Sequence, residues 1–174
     1  MQIYKSRIFV CGQPTGLADG GRRVTGKVLR VATVFACVML AGCVTHRFER
    51  QFLLGNPLQT RIQRLRQCSL EEQYRIFRYG NDHIEPPLMD LAVPIAERGQ
   101  SAIPFLLQKL TSKPDSIAVR DILLIFETMA GKRIYDVKSD AKVMAVLRSS
   151  ISGMKGGPWK STCIKGLKRI EDRK

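Results

Sequence analysis

An all-α fold is expected from this sequence, and three observations carry the expectation. Apolar residues recur at spacings of three and four along most of the second half of the chain, the period of a helix with one buried face. Helix-capping residues and Gly or Pro breakers punctuate those stretches at regular intervals. No segment sustains the apolar–polar alternation with β-branched residues that a strand requires, so essentially no sheet is expected. The pattern predicts six or seven antiparallel helices of about three turns each. They occupy one domain over 57–174, after a tether over 43–56 and a separate region over 1–42.

In chain order, Asn56 is placed to cap and Pro57 to take the first helical position, followed by Leu58, Ile62 and Leu65 on one face. Ser69-Leu70-Glu71-Glu72 is a capping box, in which Ser69 and Glu72 satisfy each other's backbone N–H groups. Leu70, Ile76 and Phe77 face inward, and Gly80-Asn81 is expected to end that helix. Pro86-Pro87 opens the next, with Leu88, Leu91, Ala92, Ile95 and Ala96 on one side; Pro94 falls inside it and is expected to kink it. Gly99 closes it. Ser101 is the expected cap of a helix with Pro104 in its first turn and a stripe of Ile103, Leu106, Leu107 and Leu110.

Asp115 or Ser116 caps a longer helix reaching about Ala130. Ile122 to Phe126 makes it apolar nearly all round, so it should be central. Gly131 stops it, and 132–137 is a connector with Tyr135 and Asp136 exposed or half packed. Ser139 is the expected cap of a helix with Val143, Val146, Leu147, Ile151 and Met154 inward. After Gly156-Gly157-Pro158 a last amphipathic helix carries Trp159, read as a buried anchor, with Cys163, Leu167 and Ile170. Its opposite face carries Lys160, Lys165, Lys168 and Arg169.

The chain before this domain has a different character. Val31 to Gly42 holds 12 residues without a charge, too short to span a bilayer and apolar all round. Arg22, Arg23, Lys27 and Arg30 precede it, and Ala41 and Gly42 close it. A basic region, a short apolar core and small residues before a cut describe an export signal. Residues 1–23 are long for such a leader and lack periodicity; Val24 or Val28 would give a compact one, so the start codon reads as misassigned. Leu40-Ala41-Gly42-Cys43 resembles the lipobox of bacterial lipoproteins at all four positions. The resemblance implies that Cys43 receives a diacylglyceryl group and that the cut falls between Gly42 and Cys43. Val44, where an aspartate would mark inner-membrane retention in that family, favours the periplasmic side of an outer membrane. Two or more acyl chains hold a protein where one is marginal.

A second resemblance covers Pro86 to Thr111. Ala102-Ile103-Pro104-Phe105-Leu106-Leu107, the later Leu110, Pro94 and the short turn Gly99-Gln100 are similar to a helix pair of the HEAT repeat. It implies stacked helical hairpins, although no clean repeat near forty residues is visible.

Removing 1–42 takes six basic residues and Asp19, so the net charge falls from +14 to +9 over the remaining 132 residues. Val137 to Lys174 concentrates that excess. The expected partners are the membrane through Cys43, a protein partner, and anionic lipid or envelope polymer; no specific nucleic acid is implied. The basic face of the last helix is the candidate interaction surface, and an ordinary solvated face is its alternative. Cys68 and Cys163 are the two thiols left in the domain besides Cys43, and a free pair is the favoured state.

The sequence points to no reaction. Of two histidines, His46 lies in the tether, and His83 with Asp82 and Glu85 has no metal-site spacing. Glu71 and Glu72 are accounted for by a helix start, and Asp90, Glu97 and Glu127 read as surface charges. No catalytic, phosphate-binding or cofactor motif occurs, so neither a metal nor a cofactor is expected. The expected function is that of a membrane-anchored helical interaction or structural module in the bacterial envelope. The alternative is an envelope enzyme or enzyme subunit with a dispersed site.

Overall fold

The computed structural model describes residues 48–173, and among these every regular element is helical, with no strand. A helical segment over 48–53 comes first. Seven further α-helices follow: α1 (Leu58–Arg66), α2 (Leu70–His83), α3 (Ala92–Ala96), α4 (Ile103–Thr111), α5 (Ser116–Gly131), α6 (Ala141–Ser152) and α7 (Pro158–Glu171). Single 3-10 turns, Met89–Leu91 and Gly99–Ala102, lead into α3 and α4.

The capping box forms as expected. Glu72 N–H donates to Ser69 Oγ at 3.3 Å, and Ser69 N–H donates to the Glu72 carboxylate at 2.9 Å. Asp115 caps α5 by accepting from Ala118 N–H at 2.6 Å. Pro104 and Pro158 stand in the first turns of α4 and α7, where a missing N–H removes no helical bond.

Several boundaries differ. At α1 the cap position is Pro57 and the Asn56 side chain makes no capping bond; its amide donates back to Leu54 O at 3.4 Å. At α4 the position before the helix is Ala102, and Ser101 Oγ donates to Arg98 O instead. At α6 the cap is Asp140, one residue after Ser139, with its carboxylate accepting from Val143 N–H at 3.0 Å. Carboxylates at positions 115 and 140 thus do what a neighbouring hydroxyl could also have done. Pro94 kinks nothing, because α3 begins only at Ala92 and Pro94 lies in its first turn.

Gly80-Asn81 does not end α2, which continues to His83. Gly80 is there for space: a Cβ would lie 3.1 Å from Leu91 Cδ1, with Leu53 and Leu88 also close. Asn81 is buried and bonded, as described below. The end of the segment read as a tether packs on the domain, as its Phe52 and Leu53 suggest. Residues 48–53 are helical, with Phe52 5% and Leu53 1% exposed, so folded structure begins well before position 57.

The helices form two layers. In one, α1 packs on α3, α3 on α5 and α5 most extensively on α7; in the other, α4 packs on α6. α2 lies against α3 and α5. α5 is the central element, as its nearly continuous apolar surface requires: Ile122, Ile125, Phe126 and Met129 are fully buried. Gly166 permits the close α5–α7 approach, since a Cβ there would sit 2.0 Å from Glu127 Oε1 and 2.9 Å from Leu123 Cδ2.

Trp159 is not the buried anchor expected. It is 42% exposed, at the start of α7, and its ring lies over the Arg120 guanidinium. Met144, unremarked in the sequence, is buried beside Val143 and Leu147 on α6.

Candidate functional site

Three features carry chemistry. The first is a buried ionic cluster. Asp121 on α5 has no exposure. Its Oδ1 accepts from Arg120 Nη2 at 2.6 Å, Arg120 Nε at 2.9 Å and Asn81 Nδ2 at 3.1 Å. Arg78 Nε stands 3.6 Å from Oδ2, and Arg78 also pairs with the capping Asp115 at 3.3 Å. The Arg120 guanidinium is 4.5 Å from the Trp159 ring centroid, within cation–π range. The cluster therefore ties α2, α5 and α7 together. Burial pushes the Asp121 carboxyl above its ordinary range, while the Arg120 bonds and charge, the Arg78 charge and the Asn81 amide oppose that rise. Because Arg120 is only 8% exposed, the arrangement is a tie with its charges matched inside the protein, and not a reactive carboxylate open to a substrate.

Sequence reasoning missed this cluster. Asp121 and Arg120 are adjacent in an apolar run, and Asn81 has the composition of a helix terminator. The one available signal was two charges inside the most apolar helix, where an unpaired charge would be costly.

The second feature is the basic face of α7, which is narrower than its composition implied. Lys160 Nζ donates to Ser152 O at 2.8 Å and Met154 O at 3.0 Å, closing the end of α6. Arg169 grips Glu127 with three contacts of 2.9–3.1 Å. Lys165 and Lys168 are exposed on the same helix, and Ile164, 53% exposed, immediately precedes Lys165. Glu127, read as an ordinary surface charge, is half-buried and committed to Arg169, and Glu97 is committed to Arg66 at 2.7 Å.

The third feature is the pair of thiols. Both are free; Cys68 is half-buried and Cys163 fully buried. Burial pushes the Cys163 thiol up to about 11, with the Arg120 charge opposing and Glu127 and Asp121 reinforcing. The ordinary value is 9.0, so the thiol stays protonated in the fold where it would ionise in the open chain. A raised pKa of this kind contributes stability that is full below about pH 9 and lost as pH rises towards 11. Cys163 is accordingly expected to resist alkylation by iodoacetamide at pH 8 until the protein unfolds, with labelling read by mass spectrometry. Full labelling of the native protein would show that α7 opens readily.

Asp82, His83 and Glu85 do not converge. His83 stacks on Tyr79 with ring centroids 4.4 Å apart, and its Nδ1 is 3.6 Å from Asp82 Oδ2. Among the described residues no group of three His, Cys, Asp or Glu side chains could hold a metal. A groove of about 520 Å³ is lined by Lys113, Asp115, Ser149, Met154 and Lys155 among others, and a second of about 390 Å³ by Arg133, Tyr135, Lys138 and Arg173. In the second, the Tyr135 hydroxyl donates to the Asp140 carboxylate at 2.5 Å. Cys43, Gly42, His46 and the apolar run over 31–42 lie outside the described residues. Among the described residues no helix is long and apolar enough to cross a membrane.

No protein-family model matches the chain, and neither does any curated protein or solved structure.

Proposed function

We propose that this protein is a lipid-anchored helical module of the bacterial cell envelope that works by binding other macromolecules. The observation that carries the reading is Leu40-Ala41-Gly42-Cys43 at the end of an uncharged run of 12 residues preceded by arginines. That sequence makes Cys43 the acylated first residue of the mature protein and Gly42–Cys43 the cut. Val44 places the anchor by preference in an outer membrane, with the domain on its periplasmic side.

The helix layers support the binding half of the reading. Helices that pack on the next-but-one helix along the chain leave a continuous outer surface, the geometry by which HEAT-like and other stacked-hairpin proteins hold partners. Here the first member of the Pro86–Thr111 pair is a 3-10 turn and five α-helical residues, so any such repeat is irregular. Lys165 and Lys168 are the exposed cations of α7 not engaged in an ion pair among the described residues, and so offer themselves to a protein partner or an anionic envelope polymer.

Cys43→Ser tests the anchor. The parent chain is expected to fractionate with membranes and to carry the mass of its acyl groups. The variant is expected to lose both, remaining uncleaved. Identical processing and membrane retention of the variant would overturn the reading.

A further inference from the structure

Among the described residues helical structure begins at Phe48, five residues after Cys43 in sequence. Five residues span at most about 18 Å. If Cys43 carries acyl chains, the first helical segment is therefore held at the headgroup layer whatever path the intervening chain takes. This segment is built unlike an ordinary surface helix. Phe52 and Leu53 point into the core, at 5% and 1% exposure. Phe48 and Leu54 do not, at 45% and 57%. They are two of the five large apolar side chains conspicuously exposed among the described residues, and both lie within eleven residues of the anchor.

The cations around them come from three elements. Arg50 is exposed on the segment itself, Arg64 on α1 and Arg75 on α2. The Arg64 guanidinium lies 4.8 Å from the Phe52 ring centroid and Arg75 lies 5.8 Å from that of Phe48. The acid of this segment, Glu49, is buried at 2% exposure and paired with Arg75 at 2.5 Å, so its charge faces inward. A shallow hollow is lined by Phe48, Gln51, Phe52 and Arg64.

We infer that Phe48 and Leu54, with the exposed cations Arg50 on the same segment and Arg64 beside the Phe48–Phe52 hollow, form a second membrane contact that seats the domain on an anionic bilayer surface. The inference rests on the anchor proposed above. Its chemistry is that of two signals acting together: apolar side chains enter the headgroup layer while guanidiniums meet lipid phosphates. The anchor supplies proximity, and this face supplies orientation. The domain would then hold α7, with its lysines, in one fixed presentation and not swing on a free tether.

The test uses the acylated protein in vesicles. Trp159→Phe keeps a ring on Arg120 and removes native emission; Phe48→Trp or Leu54→Trp then places an indole on the face. Vesicles contain phosphatidylethanolamine with phosphatidylglycerol, or phosphatidylcholine alone. In the anionic vesicles the introduced indole is expected to shift to shorter wavelength, lose quenching by aqueous iodide and gain quenching by brominated lipid. Arg64→Glu is expected to reverse these changes, since each cation near an anionic surface is worth about fivefold in partitioning. Native Trp159, in a chain without the other substitutions, should remain open to iodide. A protein that carries its acyl mass and floats with the vesicles, yet leaves both introduced indoles fully open to iodide, would overturn the inference and leave the anchor intact. A protein with no acyl mass would remove the anchor, and the seating would fall with it.

Discussion

Asp121→Ala is expected to lower the stability of the domain by about 3–5 kcal/mol, because it leaves two guanidiniums facing a buried void without their shared carboxylate. Arg120 is 8% exposed and its ion pair is with Asp121, whereas Arg78 keeps its pair with Asp115. Asn81 also loses its acceptor. The measurement is urea unfolding followed by circular dichroism. A control separates the tie from the volume: Asp121→Leu with Arg120→Met, which removes the pair together, should recover a large part of the loss. A single substitution that costs under about 1 kcal/mol would mean that water reaches the cluster and takes over the role of Asp121.

The second large effect concerns where the fold begins. Leu53→Ala is expected to cost about 2–5 kcal/mol, the range for emptying a packed leucine site. Leu53 is 1% exposed and packs near Gly80 beneath Leu91. A chain begun at position 57 should fall further, since it loses Phe52 and the Glu49–Arg75 pair as well. Thermal unfolding of the two shortened chains, begun at 48 and at 57, checks this. Equal midpoints would return residues 48–56 to the status of a tether.

The Asp121 cluster and the helix over 48–53 mark the limit of what was legible beforehand, although Phe52 and Leu53 could be read as packing on the domain. Helix existence and the inward faces were readable because they depend on local spacing: Ile62 and Leu65, the stripe of Ile103, Leu106, Leu107 and Leu110, the run of Ile122, Leu123, Ile125 and Phe126, and Cys163 with Ile170 are all buried. The Ser69–Glu72 box was readable because its two bonds lie within four residues. Gly80 and Asn81 were misread because their roles are set by partners far along the chain, Leu91 and Asp121. A glycine that makes room and a glycine that turns the chain have the same letter. Ser101 and Ser139 were misread because a 3-10 turn and a neighbouring aspartate, respectively, stood ready to begin those helices. Of the candidate face on α7, the sequence showed four cations, but only the fold shows that Lys160 and Arg169 are engaged with backbone carbonyls and with Glu127.

The chain contains a single tryptophan, and it lies on the guanidinium that closes the Asp121 cluster. That placement makes the protein its own optical gauge. Any event that pries α7 from α5, whether heat, solvent or the arrival of a partner, must part the indole from its cation and change its emission. The same molecule could thus report, without a dye, whether being bound leaves its interior undisturbed.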